Sequence, residues 1–189
     1  MTSFLSPCFI YLDNNATTQV ASEVFDAMRP FYGMQFGNPS SMHTCGGVVA
    51  KIVDGSREQL AGLIGAEPTE MVFTSGGTES DNFAIRGILD ANPDKKHIVT
   101  TRVEHPGVLS MCRWLARNGY EVTELDVDGD GNLDMESYRA SLRPDTAIVS
   151  VMWANNETGV IFPVEEMARI AKIQNIVFHT DAVQAVGKI

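Results

Sequence analysis

Cysteine, basic charge and long apolar runs are all scarce in this sequence, and each shortage narrows the possibilities. The 189 residues hold three cysteines, Cys8, Cys45 and Cys112, odd in number and without CxxC spacing. That pattern speaks against a disulfide framework or a structural zinc site, and a reducing cytoplasm is the expected compartment. There are 14 Lys and Arg against 24 Asp and Glu, for a net charge of -10. Such a balance disfavours nucleic acid and anionic membrane as partners. No stretch reaches the ~20 apolar residues of a membrane span. The opening MTSFLSPCFIYLD has neither the basic start nor the apolar run of a signal peptide.

What remains has the composition of an ordinary globular protein, long enough for a sizeable core. Short β-rich runs alternate with helical patterns. Apolar residues from Val49 to Ile64 recur at helical spacing before Gly65. Met71 to Thr74 (MVFT) reads as a buried strand, followed by a Ser/Gly turn and a helix through Phe83, Ile85 and Ile88. Further strands are expected at 97–101, 120–127, 147–153 and 176–180. Helices are expected at about 106–118 with Gly119 as cap, near 135–142, and from Pro163 at the first helical position to about Gln174. Strands separated by helices imply an α/β fold, a mostly parallel sheet with helices on both faces. The rhythm is still running at Gly187-Lys188-Ile189, so the chain is expected to be an incomplete domain.

Several polar segments fall where strands end. Thr74-Ser75-Gly76-Gly77-Thr78-Glu79-Ser80 follows the first expected strand and opens a helix. Two glycines permit a tight turn and a close backbone approach, and a helix N-terminus with a nearby hydroxyl makes a phosphate cradle. It matches neither a Walker A loop nor GxGxxG. A plain strand-to-helix turn reads equally from the same residues. Asp181 lies just past the last strand, where open α/β sheets place ligands; it suits either a cationic ring nitrogen or a helix cap. Asn155-Asn156-Glu157-Thr158-Gly159 fits a tight turn or ligand hydrogen bonds. His105, between a strand and a helix, can stack on a planar group, move a proton or merely begin the helix. Asn38-Pro39-Ser40-Ser41-Met42-His43 says only "turn". Asp126-Val127-Asp128-Gly129-Asp130-Gly131 imitates the start of a calcium loop. Its twelfth position is Ser137 in place of a bidentate glutamate, so an acidic surface turn is expected, and no metal.

In order, YLDNNATT (11–18), NPSSMH (38–43), TSGGTESDN (74–82), EHPGV (104–108), NNETG (155–159) and HTDAVQAVGK (179–188) closely resemble the class V aminotransferase family. The similarity is greatest to its cysteine desulfurases of the nitrogen-fixation (NifS-like) type. The resemblance implies the fold-type I architecture and the cofactor pyridoxal 5′-phosphate. It implies an N-terminal segment, 1–15, that packs with a small domain, and a cofactor-binding large domain, 16–189, cut short before its C-terminal strands. Gly77 and Thr78 would hold the cofactor phosphate. His105 would stack on the ring and shuttle protons as a catalytic residue. Asn156 and Gln184 would bond the phenolic oxygen, with Asn156 also near the substrate carboxylate, and Asp181 would pair with the pyridinium nitrogen.

By the same resemblance, L-cysteine is the substrate and L-alanine the product. Sulfur passes as a protein persulfide to an iron–sulfur scaffold protein, and the complete enzyme is a homodimer. The lysine that tethers the cofactor and the cysteine that attacks sulfur fall later in the family's sequences. The remaining C-terminal half, or a second chain, is therefore an expected partner. No lysine or cysteine here is assigned those roles, and Cys45 is given a buried or half-buried packing role. Two further readings stand beside this one. Another class V enzyme, such as a selenocysteine lyase or small-substrate aminotransferase, would share the cradle. A non-catalytic module would have no physical need to keep the contact residues.

Overall fold

A computed structural model describes residues 10–189, so expectations that fall on the first nine residues, Cys8 among them, lie outside the described residues. The chain divides into two compact units, Met1–Phe73 and Thr74–Ile189.

In the first unit, α1 (Ser22–Met28) runs into a 3-10 turn, and α2 (Thr44–Ile64) is its long helix. The His43 ring caps α2, its Nδ1 accepting the Gly46 N–H at 3.2 Å. Gly65 stops α2 at φ 70°, a left-handed conformation that favours glycine. Cys45, expected to be buried or half-buried, is exposed on the first turn. Only Gly46 and Ala61 of α2 are buried, so a residue on that turn has little to pack against.

Residues 71–74, expected as a buried strand, form none. The Arg57 guanidinium donates to the Met71 carbonyl and stacks over Phe73 at 4.7 Å. A side chain thus takes a carbonyl that a neighbouring strand would bond, and Val72 and Phe73 are left exposed.

The second unit carries α3 (Gly77–Ala91), β1 (His97–Thr101), α4 (Pro106–Arg117), β2 (Glu121–Leu125), α5 (Met135–Ser141), β3 (Thr146–Ser150), α6 (Val164–Ile173) and β4 (Val177–His179). All strand pairs are parallel, in the order β2-β1-β3-β4. The central strands β1 and β3 are buried along their whole length, as a sheet covered on both faces requires. One face packs Ile98 and Ile148 against Ile85 and Leu89 of α3 and Val108, Cys112 and Leu115 of α4. The other packs Val99 and Val149 against Tyr138 of α5 and Met167 and Ala171 of α6.

Some expected boundaries shift. β3 stops at Ser150, short of Trp153, because the chain beyond it turns to meet Ile161 at an isolated bridge from Ala154. Pro163 caps α6 with ψ 56° instead of occupying its first turn. Asn118 caps α4, and Gly119 follows at φ 90°. β4 is an edge strand whose first residue, Val177, is exposed, so the strand before Asp181 is less buried than expected.

Candidate cofactor site

The strand order sets the place. From β1 the chain moves outward to β2, then returns across β1 to β3 on the other side. In open parallel sheets a ligand crevice forms at such a reversal, beyond the C-terminal ends of the two strands. The segment 102–105 leaves β1 toward α4 on one face. The segment 151–163 leaves β3 toward α6 on the other. His105, Asn156 and Asp181 all lie past these C-terminal ends. Gly77 and Thr78 reach the same place by another route, at the head of α3, with no strand before them.

The head of α3 is a donor-rich end. Ser80 N–H is the first to bond back into the helix, to the Gly76 carbonyl at 3.1 Å. The N–H groups of Gly77, Thr78 and Glu79 therefore point out of the helix, along the positive end of its dipole. The Thr78 hydroxyl takes no hydrogen bond from a described residue. Glu79 turns back to bond Ser75 N–H and Ser75 Oγ, each at 2.6 Å. These bonds hold its carboxyl below the usual range. Gly77 packs on the turn after β4: a Cβ there would stand 3.1 Å from Val183 Cγ2. Gly107 packs on Thr78 in the same way, since its Cβ would lie 3.1 Å from Thr78 Oγ1 and from His105 Nδ1. The heads of α3 and α4 and the turn after Asp181 thus close on one another. An open groove of about 530 Å³ continues from Thr78, His105 and Gly107 past Asn82 and Met111 to Trp114.

His105 caps α4, Nδ1 accepting the Gly107 N–H at 3.1 Å. That fixes the lone pair on Nδ1 and leaves Nε2 and the exposed ring face available. Asp181 likewise has one oxygen in a local turn: Oδ1 accepts the Val183 N–H at 3.0 Å. Its Oδ2 takes no hydrogen bond from a described residue. Asn156 donates to Glu157 Oε1 at 3.0 Å, and Gln184 accepts from Lys188. The structure thus brings Gly77, Thr78, His105 and the Asp181 turn together.

Behind these residues lie buried ionisable groups that composition and motif reading did not single out. Asp81, on α3, is 4% exposed, and its Oδ1 stands 3.6 Å from His179 Nε2. His179 Nδ1 meets Ser150 Oγ at 2.9 Å. Burial, with the Asp181 charge added, raises the Asp81 carboxyl to about 6, against a smaller opposing pull from His105. Burial lowers the His179 imidazole, against the pull of Asp181. Glu104 is also 4% exposed. It accepts from Thr101 Oγ1 at 2.7 Å and from Met152 N–H at 3.1 and 3.0 Å. Burial nevertheless pushes its carboxyl up to about 7. The signal for Asp81 and His179 was one of spacing: His179 sits two residues before Asp181, on the same side of its strand. Asp81 is a charged residue on the helix face that carries Ile85 and Leu89.

These groups suit pyridoxal 5′-phosphate. A helix head with outward N–H groups and an unengaged hydroxyl accepts a phosphate, and an unengaged carboxylate oxygen at the sheet's end accepts a cationic ring nitrogen.

The model of the class-V aminotransferase family matches residues 10–189. A cysteine desulfurase of Trichormus azollae is 56% identical over 180 residues, which is 95% of this chain and 45% of that protein. The cysteine desulfurase NifS of Azotobacter vinelandii is 56% identical over 181 residues, with the same coverage. A solved NifS-like protein superposes with a TM-score of 0.92 at 39% identity, over 95% of this chain and 50% of that one. DndA from Streptomyces lividans gives 0.84 at 41% identity, over 95% and 51%. The chain spans about half the length of the curated relatives it matches. Its parallel sheet with helices on both faces is the fold-type I architecture of these proteins. Matched along every described residue, the chain belongs to the class-V aminotransferase family.

Proposed function

We propose that this chain supplies the cofactor-binding part of a pyridoxal-phosphate-dependent cysteine desulfurase, which converts L-cysteine to L-alanine and passes the sulfur on as a protein persulfide. The observation that carries the proposal is the convergence of the α3 head, His105 and Asp181 at the C-terminal ends of β1, β3 and β4. Relatives named cysteine desulfurase support the choice of reaction, as does a solved neighbour titled SspA in complex with cysteine (TM-score 0.89, 35% identity).

When bound, the cofactor supplies an electron sink for the substrate's Cα. The chain's own residues do the rest. Gly77 and Thr78 N–H groups and the Thr78 hydroxyl hold the phosphate. Asp181 would pair with the ring nitrogen and keep it protonated, since a carboxylate beside it favours the charged form. His105, its Nδ1 fixed by Gly107, would stack on the ring, with Nε2 left to move a proton. Asn156 and Gln184 bond the phenolic oxygen, and Asn156 also meets the substrate carboxylate. No residue of the 189 is assigned as tethering lysine or nucleophilic cysteine. The whole protein is a cytoplasmic homodimer whose sulfur goes to an iron–sulfur scaffold.

The test uses the full-length protein that carries this chain. It should gain a visible absorbance band with pyridoxal 5′-phosphate and form equimolar L-alanine and sulfur from L-cysteine. A protein that binds the cofactor but leaves L-cysteine untouched, while acting on another amino acid, would overturn the desulfurase assignment.

A further inference from the structure

The loops after β1 and β3 leave the sheet toward opposite faces, yet each carries a proposed cofactor contact, His105 on one and Asn156 on the other. Nothing in the strand ladder holds them together, since the β1–β3 register ends at Thr100 and Ser150. Two side-chain struts do, and they run in opposite directions. From the β1 loop, the Glu104 carboxylate accepts the Met152 N–H at 3.1 and 3.0 Å, and is itself held by Thr101 Oγ1 at 2.7 Å. From the β3 loop, Asn155 Nδ2 donates to the Val103 carbonyl at 3.0 Å. Asn155 Oδ1 also accepts Glu157 and Thr158 N–H, each at 2.9 Å, which shapes the turn displaying Asn156. Both residues are buried, at 4% and 7% exposure, so neither strut competes with water.

We infer that Glu104 and Asn155 are positioning residues, a crossed brace across the sheet's topological switch point that sets His105 and Asn156 for the cofactor.

Each strut starts from the residue immediately before a contact residue. Glu104 precedes His105, and Asn155 precedes Asn156. Without Glu104 the Met152 N–H is left unbonded in the core; Asn155 Nδ2 has a second contact, to Met152 Sδ at 3.3 Å, but the Val103 carbonyl bond is the one that crosses to the β1 loop. The cheapest response is for the loops to separate, and a displacement of about an ångström at a positioned group is enough to matter. The chemistry of the struts fits their residue types: a carboxyl offers the acceptor that Met152 N–H needs, and an amide donates to Val103 from one atom while accepting the 157–158 turn at the other.

The inference rests on the cofactor reading above, and the experiment separates the two. Apo full-length protein is titrated with pyridoxal 5′-phosphate at pH 8 for the wild type, E104A, E104Q, N155D and Y138F. The His105 ring signals are followed by NMR in the same samples. E104Q keeps an acceptor for Met152. N155D keeps the turn acceptor but, ionised, cannot donate to Val103, and it remains a test if E104A does not fold. Y138F removes the buried bond to the Met167 carbonyl on α6, outside the site, and controls for stability loss alone. E104A and N155D should each weaken cofactor binding by about tenfold, the loss expected of one buried bond, and should shift the His105 signals. E104Q and Y138F should bind within about threefold of wild type, with His105 unmoved. Wild type that binds no cofactor would overturn the cofactor reading. Wild type that binds, with E104A and N155D binding equally well and His105 unmoved, would overturn the brace alone.

Discussion

Glu104 offers a test in which the sign and the size both follow from its surroundings. Its carboxyl rises from an ordinary 4.5 to about 7, chiefly by burial and also by repulsion from Asp181 and Asp81. The bonds from Thr101 and Met152 oppose that rise without cancelling it. Folding therefore takes up a proton on Glu104 between about pH 4.5 and pH 7. The stability this confers is whole below about pH 4.5, declines as pH rises, and is gone above about pH 7. At about 1.4 kcal/mol per pKa unit, the decline amounts to about 3 kcal/mol. E104Q has no proton to gain or lose, so its stability lacks this decline. The assay is denaturant unfolding of both proteins from pH 4.5 to pH 8, followed by tryptophan fluorescence; Trp114 and Trp153 are the only two tryptophans. Titrations not coupled to Glu104, such as that of His97, are shared and drop out of the difference. Relative to wild type, E104Q should gain about 3 kcal/mol across that range. Two curves that stay parallel would refute the reasoning, because removing a carboxyl with so raised a pKa cannot leave the pH dependence of stability unchanged.

Four other outcomes follow. D181N keeps the turn bond to Val183 N–H but removes the charge, so cofactor affinity and turnover should fall sharply in the full-length protein while its melting temperature holds. D181A should lose both, and equal melting temperatures with near-normal turnover would contradict the role given to Asp181. G107A places a methyl 3.1 Å from Thr78 Oγ1 and His105 Nδ1, and should weaken pyridoxal 5′-phosphate binding several-fold in a spectral titration. His97, buried and bonded to Thr146 and Thr123 hydroxyls, has its proton affinity lowered first by burial and then by the Arg143 charge. It takes a proton less readily in the fold than in the unfolded chain, which protonates it below about pH 6.5, so stability is lost as pH falls through that point, and H97Q should flatten the loss in acid unfolding. Y138F should cost about 1 kcal/mol in denaturant unfolding, the ordinary loss for a buried hydroxyl bond.

The second unit was largely legible because its periodicities are long and unbroken. His97–Thr101 emerged with the expected bounds, the helices at 106–117 and 164–173 within a residue, and the helix expected through Phe83, Ile85 and Ile88 runs from Gly77 to Ala91. Misreadings occurred where a side chain outside the local pattern decides. Met71-Val72-Phe73-Thr74 has every intrinsic mark of a strand, but a strand exists only by pairing, and Arg57 claims the Met71 carbonyl instead. Trp153 continues an apolar run past the end of β3 because Glu104 and Asn155 bend the chain there, and both bonds span about fifty residues of sequence. No local window contains such information. For the same reason Glu104 could not be picked out as a buried carboxyl: it is one of 24 acidic residues, and only the fold shows that it is denied water.

The motif residues posed a different difficulty, since each supported both an ordinary reading and a chemical one. The structure shows why the two were inseparable on paper. Asp181 does cap a turn, with Oδ1, and this leaves Oδ2 at the end of the sheet. His105 does begin a helix, with Nδ1, and this decides which nitrogen is left for a proton. In the amide pair, Asn155 makes the turn, and Asn156 is the residue the turn displays. A group that must meet a ligand accurately cannot hang from a free side chain; one atom has to be spent on its own backbone so that another is held still. Turn chemistry and ligand chemistry therefore select the same residue types at the same places, Asp, Asn and His at strand ends. The ordinary reading of such a residue is a precondition of the chemical one rather than a competitor to it. What separates a site from a plain turn is then the second atom: whether it is left unengaged, and whether other unengaged atoms face the same space. Thr78 and His105 meet that criterion along one groove at the heads of α3 and α4, and the turn after Asp181 packs on the same α3 head through Val183.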